Sequence, residues 1–90
     1  MNKNSIVIGD EYDEELMTSL SKVLQDLNAV KLDDNSALAG SQDLYFANFN
    51  INGSILTVER ETYIGTSLIG PLELIKEIKN KIDMLKIDEK

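Results

Sequence analysis

The sequence predicts an α+β domain: an antiparallel sheet of three to five strands with two amphipathic helices packed on one face, in the order β-α-(β)-β-β-β-α. Three observations predict it. Apolar residues recur at helical spacing in two stretches, one following Asp10 and one following Pro71. Between them lie short runs of alternating apolar and polar residues. Two of those runs flank Asn52-Gly53, the strongest short-range hairpin signal, because a type I′ turn needs positive φ at both central positions. Antiparallel strands between two helices bury their apolar side by stacking both helices on one face of the sheet. A length of 90 residues predicts one domain, spanning 1–90.

Ser5–Gly9 is a β-branched run closed by glycine and reads as a buried strand. Asp10 stands where a helix N-cap belongs, with Asp13 three residues on. Leu16, Met17, Leu20, Val23, Leu24 and Leu27 then form one apolar stripe, predicting a helix over about 11–27 that stops at Asn28. Val30 and Leu32 alternate with Lys31, as in a short edge strand, whereas Asp33–Ser41 has loop composition. In the hairpin the two-residue turn sets Ile51 against Ser54, Phe49 against Leu56, Ala47 against Val58 and Tyr45 against Arg60. Those residues form the expected core face, apart from Ser54 and Arg60; Leu44, Phe46, Ile55 and Thr57 form the other face. Thr62–Ile69 predicts the next strand, entered through a turn at Glu61-Thr62 and bent at Gly65. Gly70-Pro71 marks a helix start with proline at the first helical position, followed by the stripe Leu72, Ile75, Ile78, Ile82 and Leu85, joined by Leu74. Residues 87–90 are expected to fray.

The charge is unevenly placed. The net charge of −7 comes from 16 acids against 9 bases. Residues 1–61 hold 11 acids and 4 bases, and residues 62–90 hold 5 of each, so the first stretch carries the whole excess. Such a balance repels phosphate backbones and anionic lipid heads, and no basic patch with interleaved aromatics is present. Nucleic acid and membrane are therefore not expected partners. No apolar run approaches the ~20 residues that cross a bilayer. The start, Met1–Ser5, leads to only three apolar residues before the acids begin, which is not the pattern of a signal peptide. The absence of cysteine fits a reducing compartment, and the cytoplasm of a bacterium is the expected location.

Chemistry is excluded on several counts. Without Cys or His there is no Ser-His or Cys-His arrangement and no thiolate or imidazole metal site. Gly40, Gly65 and Gly70 fit neither a P-loop nor a dinucleotide fingerprint. A calcium loop starting at Asp33 fails, because Ala37 occupies the fifth position and no glycine follows it. Glu59 and Glu61 flank Arg60, the only arginine, and read as a solvated strand end rather than an acid-base pair. The expectation is a protein that is not an enzyme and takes no metal or cofactor.

What remains is acid. Asp10, Glu11, Asp13, Glu14 and Glu15 fall within six positions, with Tyr12 among them. One or two acids favour a helix start through the macrodipole. Five repel one another, and an exposed aromatic among them is a typical interface anchor. With Asp33, Asp34 and Asp43 these residues form the candidate partner-binding set.

In size, lack of cysteine, the acidic helix start Asp10–Glu15 and the strand-Gly-Pro-helix segment Tyr63–Ile78, the chain resembles the small acidic immunity proteins that bacteria pair with polymorphic or contact-dependent toxins. That resemblance implies a non-enzymatic inhibitor whose acidic surface blocks a basic toxin domain, commonly a nuclease. The alternative expectation is a small adaptor or secretion chaperone, forming a homodimer through the open sheet face around Phe46 and Ile55.

Overall fold

A computed structural model describes residues 4–10, 13–39, 42–61 and 64–88. The elements are β1 (Asn4–Gly9), α1 (Glu14–Asp26), β2 (Val30–Ala39), β3 (Gln42–Ile51), β4 (Ser54–Glu61), β5 (Gly65–Gly70) and α2 (Leu72–Asp88). The five strands form one sheet in the order β1-β5-β4-β3-β2, with every neighbouring pair antiparallel. β2 to β5 form a meander, and α1 carries the chain from one edge of the sheet to the other. This is the expected α+β class, with the bracketed strand present.

The central hairpin follows from its turn. Asn52 and Gly53 have φ of 52° and 90°, and the Asn50 side chain accepts from the Gly53 N–H. All four expected pairings are found, Ile51–Ser54 through Tyr45–Arg60. Alternation then sets the core. Ile6, Leu68, Val58 and Ala47 lie side by side across four strands. With Leu56 and Ile51 they face Leu16, Leu20, Val23 and Leu24 of α1 and Ile75, Ile78 and Ile82 of α2, so both helices cover the same side. Tyr45 and Phe49 share that side but are only half-buried.

α1 begins later than its acids suggest. The N-cap is Asp13, not Asp10: its Oδ1 accepts from the Leu16 N–H at 2.9 Å. Asp10 instead forms a turn, its carbonyl accepting from the Asp13 N–H. At the other end Asn28 is the expected stop. It adopts φ 57°, the Ala29 N–H bonds the Leu24 carbonyl and the Asn28 N–H bonds the Gln25 carbonyl, which is a Schellman cap. Asp13→Ala is expected to remove about 1 kcal/mol, lowering Tm by roughly 4–8 °C, with no change of fold by circular dichroism.

The largest departure is β2. Loop composition does not prevent residues 33–39 from pairing along β3, continuing the strand past a bulge between Lys31 and Asp33. An edge strand needs backbone partners on one side only, and polar side chains there meet water on both faces, so composition does not penalise it. Gly40 and Ser41 lie outside the described residues.

Smaller shifts occur around β5. Glu61 remains in β4, opposite Gly65, and the Ile64 N–H returns to the Glu61 carbonyl; Thr62 and Tyr63 lie outside the described residues. Gly65 starts β5 rather than bending it, and the irregularity lies on β1 between Val7 and Gly9. Pro71 precedes α2 by one residue, its carbonyl accepting from the Ile75 N–H. Leu72, assigned to the stripe, is 36% exposed, and half-buried Leu74 borders the core instead. The helix continues to Asp88, into the segment expected to fray.

Candidate partner-binding surface

Strand direction decides where the acids meet. β1, β4 and β2 end at the side of the sheet where β5 and β3 begin, because all neighbours are antiparallel. That end receives Asp10, the start of α1 and the end of β4 together. Gly65 is the link. It pairs with Glu61, and a side-chain carbon at Gly65 would stand 3.4 Å from Asp10 Cα. With one strand between them, β1 and β4 lie about 10 Å apart.

Asp10, Glu14 and Glu15 are exposed, while Asp13 is half-buried because its carboxylate caps α1. Glu14 and Glu15 occupy the first turn of the helix, where the macrodipole favours them. Glu59 and Glu61 are half-buried on the uncovered face of β4, the face opposite α1, and Glu61 ends the strand at this end of the sheet. Asp43 stands opposite Leu38 near the start of β3, again at this end; its side chain lies outside the described residues. Glu11 and Tyr12 also lie outside them. Sequence reasoning set Glu59 and Glu61 aside as a solvated strand end. Nothing local could have joined them to Asp10, because the join depends on β1 adding to β5.

Asp33 and Asp34 are not part of this cluster. They sit mid-strand in β2, and each is engaged locally. Asp33 Oδ1 accepts from Asn48 Nδ2 at 2.7 Å, and Asn48 Oδ1 accepts from Thr57 Oγ1 at 2.5 Å, a polar row crossing β2, β3 and β4 on the uncovered face. Asp34 lies on the opposite face, paired with Lys31 at 2.7 Å and accepting from the Tyr45 hydroxyl at 3.4 Å. The hydrogen bond from Lys31, with its charge, holds the Asp34 carboxyl below its ordinary range, and the same bond raises the Lys31 ammonium. Any stabilisation from Asp34 is complete above the ordinary carboxylate pKa and is lost as pH falls through the lowered one. Both groups are exposed, so the pair is screened and contributes little. Lys31→Met is expected to return the Asp34 midpoint to the ordinary range in an NMR carboxyl titration, with Tm nearly unchanged.

The uncovered face is not one apolar patch. Phe46 lies opposite Glu59, and Ile55 opposite Asn50, with the Asn48–Thr57 pair in the row between them. Among the described residues no group of carboxylates is arranged to hold a metal ion, and no helix is long and apolar enough to cross a membrane. Comparison with known proteins finds no matching family model, no matching curated protein and no matching solved structure.

Proposed function

We propose that this protein is a non-enzymatic binding module that docks a cationic protein through the acidic end of its sheet, and that its partner is a basic toxin domain, of nuclease type, which it neutralises as an immunity protein. One observation supports the reading above others. Asp10 and Glu61, distant in the chain, come to one end of the sheet, where Gly65 lies between them, and the described acids Asp13, Glu14 and Glu15 start α1 at that end. Two of these acids favour the helix start and one caps it. Gathering like charge costs stability that a cationic partner offsets. A toxin nuclease is basic where it holds phosphates, so such a surface speeds encounter and selects its target.

The test is binding to a basic nuclease toxin domain encoded beside this chain. The association rate is expected to fall at least ~10-fold from low to high salt. Glu14→Lys with Glu15→Lys should weaken binding further while leaving circular dichroism unchanged. Binding indifferent to salt and to that charge reversal would remove the basis of the reading.

A further inference from the structure

We infer that a second copy of this chain pairs antiparallel with the outer edge of β1, joining two five-stranded sheets across a two-fold axis. This stands apart from the partner surface above and does not depend on it. β1 ends the sheet and pairs with β5; among the described residues no strand covers its other side. An edge strand offers a row of backbone N–H and C=O groups to water or to another strand.

The two edges of this sheet are built differently. β2 exposes Lys31, Asp33 and Asp34, and its pairing is broken by a bulge. Charges and bulges are the usual protection of an edge. β1 from Asn4 to Val7 reads Asn-Ser-Ile-Val, with no charge and no proline, and its irregularity comes only beyond Val7. Val7 is 53% exposed, on the face the helices leave uncovered.

Charge placement selects a second copy as the occupant. Under a two-fold axis the same uncharged segment meets itself, and the two strands run in opposite directions. The acidic end of each copy then lies beside the far end of the other. The six residues of β1 span about 20 Å, more than two Debye lengths at physiological salt. Asp10, Asp13, Glu14 and Glu15 of one copy are thereby screened from those of its mate. Self-pairing at β2 would instead set Asp33 and Asp34 beside their own counterparts. A two-fold axis normal to the sheet keeps all four helices on one side and leaves an acidic surface open at each end of the dimer.

Sedimentation velocity from micromolar to millimolar protein tests this. The mass is expected to rise from 10.1 kDa toward twice that value. Ser5→Glu with Val7→Glu should remain monomeric at every concentration, with unchanged circular dichroism, whereas Ile55→Glu should still dimerise. Hydrogen exchange on the unmodified protein provides a second reading, since amides of β1 should gain protection as concentration rises. A monomer at millimolar concentration overturns the proposal. So does a dimer without concentration-dependent protection in β1, a dimer that survives the β1 changes, or one lost with Ile55→Glu alone.

Discussion

Gly65→Ala is expected to cost about 3 kcal/mol or more, a fall of roughly 12–24 °C in Tm. Gly65 has φ 112°, a backbone conformation that residues with a Cβ rarely adopt. The added carbon would also overlap the carbonyl oxygen of Gly9 and stand 3.2 Å from the carbonyl carbon. The obstacle is backbone at the junction of β1, β4 and β5, so no rotamer change relieves it. β1 must separate from β5, or the turn after β4 must open. Gly53→Ala separates the two causes. Gly53 also has positive φ, at 90°, but a side-chain carbon there meets nothing within 4 Å. Its loss should be near 1 kcal/mol. Equal losses at the two positions, measured by urea unfolding, would show that φ alone matters and that β1 does not approach Gly65 as described. Gly65→Ala should also weaken any partner that reads Asp10 and Glu61 together.

Leu56→Ala is expected to destabilise the protein by about 2–5 kcal/mol, whereas Ile55→Ala, one residue away, should cost under about 1 kcal/mol. The residues are neighbours in β4, the middle strand, and point to opposite faces. Leu56 is 0% exposed, within the cluster shared with both helices, whereas Ile55 is 39% exposed on the uncovered face. Truncating Leu56 loses its transfer free energy and leaves a cavity that close-packed helices fill only in part. Total stability for a domain of this kind is of order 5–15 kcal/mol, so Leu56→Ala removes a large fraction of it. If Ile55→Ala proved the more damaging, the assignment of faces would be reversed. Comparable large losses at both would mean that a partner or second copy buries the outer face.

The hairpin was legible to the residue because its information is local. Asn52-Gly53 admits a two-residue turn, that turn sets the register, and alternation sets the face; Ala47, Ile51, Leu56 and Val58 are buried as a result. The buried parts of the two helical stripes were legible for the same reason. Leu16, Leu20, Val23 and Leu24 lie on one side of one helix, and Ile75, Ile78 and Ile82 on one side of the other. β2 was not legible beyond Leu32, because an edge strand is held by its neighbour's backbone rather than by its own apolar residues. Asp10 is an N-cap by residue type and spacing, but the turn that follows β1 takes up Asp10 and leaves the cap to Asp13.

By itself, then, the sequence determined the helices, the hairpin register, the inward faces and the excess of acid in residues 1–61. These depend on periodicity, turn chemistry and composition, all properties of contiguous residues. Only the tertiary structure decided that β1 adds to β5 and β2 to β3, and with that which acids share an end of the sheet. Asp10 and the start of α1 came to the same end of the sheet as Glu61 because β1 and β4 run the same way on either side of β5, while Asp33 and Asp34 were separated from them along β2. The physical reason is that backbone hydrogen bonds between strands carry no side-chain signature: any strand can pair with any other until the packing of helices over one face selects the order.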